Sequence, residues 1–298
     1  MAVLTNTVIL PTNNTDADFR AWAQYIHDLL VTTGGWVQTA DTGQVDLTTV
    51  LKPTVTNTKM GYRIYRMNDT LQATSPVFLR FDFGSGAAAL TPGLWMTIGT
   101  GSDGAGTVTT IRYNGGASAT PGITPGGNTA VAGGKTSYGS ASPSRFVFSL
   151  WTGITPSYHM VLGVERSKHA DGSGAETGDG LILAWTNANA VRFSQYVVLG
   201  ATAQPAQETG LFYVLSATNP SAFGSDVGVG VHFPMRGYAQ QPATQWLVVR
   251  ANDFVAEATI TVTLYGELRT YQHLNTVPAY HGTLATNDSN SRACIRLD

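Results

Sequence analysis

The amino-acid sequence predicts an all-β fold: an antiparallel β-sandwich or jelly-roll-like arrangement with one N-terminal α-helix and long Gly-rich loops. About eleven or twelve short segments show strand periodicity, and turn-forming residues separate them. Helix-length crossovers between these segments are missing, which disfavours a parallel α/β sheet. The chain has 298 residues, of which 43% are hydrophobic, so it can bury a large core.

The clearest pair of predicted strands lies within residues 61–86. Alternate side chains from Val77 to Phe83 are apolar, and this period of two is typical of a half-buried antiparallel strand. Arg80 and Asp82 fall on the other, outer face, where we expect the opposite charges to lie side by side and pair. Residues 62–67 alternate in the same way, and Asn68-Asp69 supplies the turn chemistry that follows them.

The N-terminal part of the chain is predicted to contain an arm and a helix. Residues 1–14 are expected to be extended, because Pro11 discourages a helix there. Thr15 resembles a helix N-cap and is followed by acidic residues, which suit the positive end of the helix dipole. Apolar residues then recur at helical spacing until Gly34-Gly35: Phe19, Trp22, Ile26, Leu29 and Leu30. We interpret this helix as one laid over a face or an end of a sheet, with a docking helix for a partner as the alternative.

Strand signals continue along the rest of the chain. They cover residues 94–100, 108–113, 145–151, 158–165, 181–186, 192–199, 211–215, 227–233, 245–250 and 258–266. In the last of these, Ile260, Val262 and Leu264 are expected to face inward and the alternating threonines outward.

Two segments without strand signals define the predicted domain organisation. Residues 114–144 are rich in Gly, Ser, Ala, Thr and Pro, and we predict a long surface loop there, with a domain boundary as the alternative. Residues 15–273 are then the β-sandwich domain, and the polar residues 274–298 are a C-terminal arm. The loops at 114–144 and 166–180 and the two arms are the segments expected to contact neighbouring molecules.

Composition favours a protein that works in an assembly. Charged residues make up 12% of the chain, against about 25% in an average soluble protein. Four of the 17 basic residues are lysines and the others are arginines, which are the more common of the two at protein interfaces. The net charge of −2 argues against nucleic acid as a partner. A single cysteine, Cys294, and the lack of a signal-peptide pattern or a membrane-length apolar stretch predict folding in a reducing cytoplasm.

Motifs that carry chemistry are weak in this sequence. Gly133-Gly134-Lys135-Thr136 looks like the end of a phosphate-binding loop, but Thr129 stands where that loop needs its first glycine, so we interpret it as a Gly-rich loop without this function. The hydrolase pattern Gly-x-Ser-x-Gly is missing, and the histidines lack the spacing of a metal site. The histidines are interpreted as surface or packed residues: His27, His159, His169, His232, His273 and His281.

The densest run of charges lies between Glu165 and Asp179. We interpret it as a solvated loop between strands. Calcium binding through oxygens of Asp171, Ser173, Glu176 and Asp179 is an alternative, although their spacing does not match an EF-hand. An acid/base pair of Glu165 with Asp179 is another.

The remaining candidates are single side chains. Cys294 is interpreted as a structural thiol, and Trp95 and Trp151 as core residues. We therefore assign no catalytic, cofactor-binding or metal-binding residue, and no cofactor.

Several phrases of the chain resemble structural proteins of tailed-bacteriophage virions. They are PVFLRFDFGSG at 76–86, WMTIGTGSDGAGTV at 95–108 and VLGVERSKHADGSG at 161–174, preceded by the helix and Gly-Trp of FRAWAQYIHDLLVTTGGW at 19–36. The resemblance covers residues 16–186 and rests on the general residue character of these phrases and on their order along the chain.

This resemblance implies a non-enzymatic virion component, of the tail or a tail appendage, that is assembled in the host cytoplasm. The implied partners are further copies of the chain, other virion proteins and a host-surface glycan. A capsid decoration protein is the nearest alternative. A carbohydrate-binding module with exposed aromatic residues such as Tyr138, and a glycan-degrading enzyme with a carboxylate pair, are the other hypotheses.

Overall fold

A computed structural model describes residues 2–9, 15–86, 92–117, 134–151, 159–166, 181–185, 246–250, 258–264, 267–278 and 291–298. In these residues the chain is mostly antiparallel β-sheet with one N-terminal α-helix. The predicted strands at 192–199, 211–215 and 227–233 lie outside the described residues, as does most of the predicted loop at 166–180.

The described strands form three larger sheets and one small hairpin. Sheet 1 has the order β1 (Ala2–Ile9), β9 (Gly134–Ser142), β10 (Arg145–Trp151), β11 (His159–Arg166) and β12 (Leu181–Trp185). Sheet 2 has the order β2 (Val37–Gln38), β3 (Lys59–Arg66), β4 (Phe78–Ser85), β5 (Pro92–Gly99) and β8 (Tyr113–Asn114). Sheet 3 has the order β13 (Trp246–Arg250), β16 (Ser291–Arg296), β15 (Glu267–Pro278) and β14 (Thr259–Leu264). The hairpin pairs β6 (Gly101–Ser102) with β7 (Val108–Thr109).

The N-terminal helix α1 (Asp16–Asp28) begins at the predicted cap. The side chain of Thr15 accepts a hydrogen bond from the backbone N–H of Asp18, and the Asp18 side chain accepts one from the backbone N–H of Thr15, which is a complete capping box. A π-helical turn over Leu29–Thr33 continues the helix up to Gly34. Among the described residues, no helix has the length and apolarity needed to cross a membrane.

The main core lies where α1 and the inner faces of sheets 1 and 2 meet. The ring of Phe81 on β4 packs edge-on against Phe146 on β10, with 6.2 Å between centroids. Trp22 of α1 packs edge-on against Phe83, at 5.8 Å, and Trp36 lies 5.5 Å from Phe146. These five side chains are almost completely buried. The helix therefore packs on sheets 1 and 2, in agreement with the prediction that it lies over a face or an end of a sheet.

The prediction of a loop at 114–144 is wrong over 134–142, where the chain forms β9. Apart from Lys135 and Tyr138, this strand consists of small residues, so hydrophobic alternation could not reveal it. Gly139 shows why a small residue is needed in this strand. A Cβ at this position would lie 2.8 Å from the Tyr25 hydroxyl and 2.9 Å from a Leu29 methyl group, so the helix approaches the strand backbone closely.

Both predicted arms contain strands. Residues 2–9 form β1, which pairs with β9 along its full length. Residues 291–296 form β16, which lies between β13 and β15, and Cys294 and Ile295 on it are fully buried. On β14 the prediction of alternation is confirmed where side chains are described, because Ile260 is buried and Thr259 and Thr261 are exposed.

Candidate functional site

A group of opposite charges in the described residues surrounds Asp82 on β4. The sequence predicts a half-buried strand with Asp82 on its outer face, but residues 81–86 are buried on both faces. The Asp82 side chain is only 3% exposed. The Arg80 guanidinium donates to both of its carboxylate oxygens, through Nε at 3.2 and 3.1 Å and through Nη2 at 2.5 Å. The predicted pairing of Arg80 with Asp82 is therefore confirmed, and burial makes it a stronger interaction than a surface pair.

Lys59 on the neighbouring strand β3 completes the group. Its Nζ lies 3.6 Å from Asp82 Oδ2, donates to the backbone oxygen of Gly116 at 2.7 Å and lies 5.3 Å from the centre of the Trp95 ring. This position satisfies the ammonium group with one carboxylate, one carbonyl and one aromatic face. Trp95 is buried, as the sequence predicts, but it lies on the face of sheet 2 that carries the charged group, whereas Leu94 and Met96 of the same strand belong to the main core.

Arg80 has a second set of contacts that tie it to the loop after β5. Its Nη1 donates to the backbone oxygen of Gly106 at 2.5 Å, and its guanidinium carbon lies 3.9 Å from the centre of the Tyr62 ring. The Tyr62 hydroxyl donates in turn to the backbone oxygen of Thr42 at 2.5 Å. One guanidinium therefore connects β4, the loop at 101–109 and the segment around residue 42.

Asp41 binds the segment 101–109, which is the β6–β7 hairpin, through two hydrogen bonds. The Ser102 hydroxyl donates to Asp41 Oδ2 at 2.9 Å, and the Gly106 N–H donates to Oδ1 at 3.2 Å. Burial alone would raise the pKa of Asp41, but its hydrogen bonds, foremost from Thr39 and Ser102, hold this pKa below the usual value. The carboxylate therefore stays ionised and acts as an acceptor that fixes the loop.

A cleft of about 240 Å³ opens beside this group. Its walls carry Lys59, Arg80, Asp82 and Thr97, and Ile111 on its rim is 47% exposed. The three charged groups that line it have partners within the chain, since the carboxylate is matched by two cations and each cation also donates to a backbone oxygen. This arrangement is suited to anchoring the loop at 101–117 on sheet 2.

The residues of the proposed phosphate-loop resemblance are on a strand. Gly134, Lys135 and Thr136 begin β9 and lie opposite Ile9, Val8 and Thr7 of β1. A phosphate-binding loop needs a turn between a strand and a helix, with its N–H groups converging on one point. An antiparallel strand directs its N–H groups to its neighbours instead.

The first two residues of the charged run, Glu165 and Arg166, lie at the end of β11 and form ion pairs with different parts of the fold. Glu165 lies 3.7 Å from Arg145 on the neighbouring strand, measured from Oε1 to Nη1. Arg166 pairs with Asp69 in the loop between β3 and β4, with 2.6 Å between Nε and Oδ2. The calcium candidates Asp171, Ser173, Glu176 and Asp179 lie outside the described residues, and so does the partner in the Glu165–Asp179 pair.

Other single candidates have structural surroundings where they are described. His27 is half-buried, with Nδ1 2.9 Å from Arg63 Nη1 and 3.3 Å from the Tyr65 hydroxyl. Burial and, next to it, the positive charge of Arg63 lower the pKa of His27. Cys294 is buried and free of disulfides, and burial raises the pKa of its thiol. Tyr138 is half-buried.

Sequence reasoning missed Lys59, Asp41 and the Arg166–Asp69 pair as members of polar groups. Lys59 carried one available signal, because it lies three residues before the alternation at 62–67 in a chain with only four lysines. Asp41 and Asp69 lie in polar segments where the sequence offers no periodicity to mark a buried carboxylate.

Among the residues that the structure describes, no three His, Cys, Asp or Glu side chains are grouped closely enough to hold a metal ion. Comparisons of the chain with protein-family models, with curated proteins and with solved structures found no match.

Proposed function

We propose that this chain is a non-enzymatic structural component of a tailed-phage virion, part of the tail or a tail appendage. The phrases at 76–86, 95–108 and 161–174 support the class of protein, because they resemble virion structural proteins. We also propose that sheets 1 and 2 are the two layers of a β-sandwich, which the edge-on packing of Phe81 against Phe146 supports.

The observation that carries this proposal is how the chain uses its few charges. Asp82 is held by Arg80 and Lys59, and Asp69 is held by Arg166. A general acid or base needs an ionisable group that faces a substrate and is free to exchange a proton. Carboxylates that bind cations of neighbouring strands serve instead to fix loops and sheets, which is the requirement of a rigid building block.

Immunogold electron microscopy on phage particles from the source culture tests the location. An antibody to the recombinant chain labels the sample, and the same antibody pre-absorbed with the chain is the matched control. We expect gold on tails or tail appendages. Gold over heads would replace the tail proposal with capsid decoration, and particles without gold above the control would refute a virion role.

Two biochemical assays test the alternatives. A carbohydrate-binding module would give reproducible hits on a glycan array with the purified chain, and we expect none from the described aromatic residues, since their described side chains are buried or half-buried. A glycan-degrading enzyme would release sugars from host polysaccharide and lose this activity on Glu165→Gln or Asp179→Asn. Release of sugar that survives both substitutions would still contradict the non-enzymatic proposal.

A further inference from the structure

Among the described residues, strand β1 forms an edge of sheet 1, and its sequence lacks the usual protection of an edge strand. Within the described residues it pairs with β9 alone, through eight consecutive residues without a register shift. On its other side, no described strand pairs with its backbone N–H and C=O groups. Natural edge strands are commonly guarded by charged residues, proline or a bulge. The segment AVLTNTVI contains no charged residue and no proline, and its pairing shows no bulge.

The other sheet edges in the described part of the chain are shorter. The edges of sheet 2 are β2 and β8, each of two residues, and short length is itself a protection. The strands β12 and β13 have five residues and β14 has six. The eight-residue β1 is thus the longest continuous edge among the described strands.

The sequence of β1 is also chemically symmetric about its centre. Reading outward from Asn6, the residues on both sides are a threonine, then two aliphatic residues: Thr5, Leu4 and Val3 before it, and Thr7, Val8 and Ile9 after it. When two such strands pair antiparallel about Asn6, each residue therefore meets its own chemical kind. A shift of one residue in either direction places aliphatic side chains opposite threonines and loses this match.

We propose that two copies of this chain associate through β1, paired antiparallel about Asn6. The contact is isologous, with a two-fold axis at Asn6, and it joins the five described strands of sheet 1 in each copy into one continuous sheet. Backbone hydrogen bonds supply the attraction, and the symmetric pattern of threonine and aliphatic residues sets the register. This inference does not depend on a virion role, and it names the partner as a second copy of the chain.

The size of the contact sets its strength. A strand of eight residues is about 27 Å long, and at roughly 10 Å thickness its edge covers about 270 Å² per copy. Stable interfaces bury roughly 1,200 Å² or more in total. We therefore expect a reversible dimer whose population rises with concentration, and which multiple contacts in an assembly would reinforce.

The face of β1 that points away from the helix allows a clean test. Leu4 pairs with Gly139, whose Cβ position faces α1, so the even-numbered residues of β1 share the helix-covered face. Thr5 and Thr7 lie on the opposite face, where Tyr138, the residue paired with Thr5, is half-buried. In the proposed register Thr5 lies opposite the partner's Thr7.

A matched pair of double variants tests the register by charge. Thr5→Lys with Thr7→Lys places like charges opposite each other at two points, whereas Thr5→Lys with Thr7→Asp places opposite charges there. Sedimentation velocity over a concentration series, on chains tagged at the C-terminus, should show a reversible dimer for the wild type. The Lys/Lys chain should stay monomeric, and the Lys/Asp chain should dimerise at least as well as the wild type, with an affinity that falls as salt is raised.

A wild-type chain that stays monomeric up to high concentration would overturn the proposal. So would a Lys/Lys chain that dimerises like the wild type, or a Lys/Asp chain that is monomeric while its circular dichroism and melting temperature match those of the wild type.

Cysteine crosslinking gives a second measurement that tolerates partial destabilisation. The native Cys294 is buried, so it leaves a low background. Residues opposite each other in antiparallel strands have Cα atoms about 4.5–5.5 Å apart, which a disulfide can span. A mixture of the Thr5→Cys chain with the Thr7→Cys chain should form crosslinked dimers under mild oxidation, several-fold more than either chain alone. Equal yields from the mixture and the single chains would refute the register about Asn6.

Discussion

The ion pair between Arg166 and Asp69 is expected to be a main connection between sheets 1 and 2. Arg166 ends β11, and Asp69 follows β3 in the loop before β4. The Arg166 side chain is 2% exposed, and its guanidinium donates to Asp69 Oδ2 at 2.6 Å, to Asp69 Oδ1 at 3.1 Å and to the backbone oxygen of Ser75 at 2.7 Å. Removing one member of such a pair leaves a buried charge without its partner, which costs about 3–5 kcal/mol.

Asp69→Ala should therefore lower the free energy of unfolding by about 3–5 kcal/mol, measured by urea denaturation with tryptophan fluorescence. The loss can be assigned to the ion pair because the Asp69 side chain makes no cap hydrogen bond to the 3₁₀ turn at Thr70–Ala73. Asp46→Asn is the matched control, since it removes a carboxylate charge at an exposed position and the Asn side-chain oxygen can still accept the hydrogen bonds from Thr48. It should change stability far less than Asp69→Ala does.

A double-mutant cycle separates the pair from the individual side chains. Arg166→Met alone should also destabilise, because it leaves the Asp69 carboxylate, 11% exposed, without its cation. The double variant Arg166→Met with Asp69→Leu should recover much of the loss, since an apolar pair of similar volume carries no desolvated charge. Single losses at the level of a surface pair, below about 1 kcal/mol, or losses that simply add in the double variant, would refute this reasoning.

Three further predictions follow from local geometry. Gly106→Ala should lower the free energy of unfolding in urea by about 2–4 kcal/mol, because φ is +100° and a Cβ would overlap the Tyr62 hydroxyl. Gly104 has φ +78° but open space around it, so Gly104→Ala should lower this free energy by only about 1 kcal/mol. Equal costs for the two would contradict the role of that overlap. Burial lowers the pKa of His27, so the unfolded state binds this proton more tightly and stability should fall as pH drops below about 6.5. His27→Gln should flatten this dependence of stability on pH. The same slope in the wild type and the variant would contradict the prediction. Cys294 is buried and its thiol pKa is raised, so a thiol reagent should modify it in urea but not in the native chain; equal rates would show that sheet 3 does not enclose it.

The sequence predicted the elements whose cause is local. The helix cap is an example, because Thr15 and Asp18 satisfy each other within three residues of chain. The inner face of β4 is another, since Leu79, Phe81 and Phe83 repeat with the period of the strand and all are buried. In both cases the residue pattern is itself the physical cause of the structure, so it could be recognised before any contact was known.

Features that depend on distant contacts were beyond the sequence. β9 has a strand backbone without a hydrophobic pattern, because Gly139 must leave room for the helix and most of its neighbours are small. Asp69 and Arg166 are 97 positions apart in the sequence. The alternation placed Asp82 on an outer face, and only the fold shows that Lys59 and the segment 101–117 cover this face. A period of two shows which residues share a face, but it does not show what covers the second face.

The buried ion pairs also change what the low charge of the chain means for association. Charged residues are 12% of the sequence, and several of them, including Asp82, Asp69 and Arg166, are inside the fold with their charges matched. Burial takes these charges away from the surface, and with a net charge of −2 the electrostatic repulsion between copies is weak. An edge strand without charged residues, on such a surface, has little to keep a second copy away. Self-association of the wild type should accordingly respond weakly to salt, whereas the Thr5→Lys/Thr7→Asp chain, whose added attraction is electrostatic, should respond strongly.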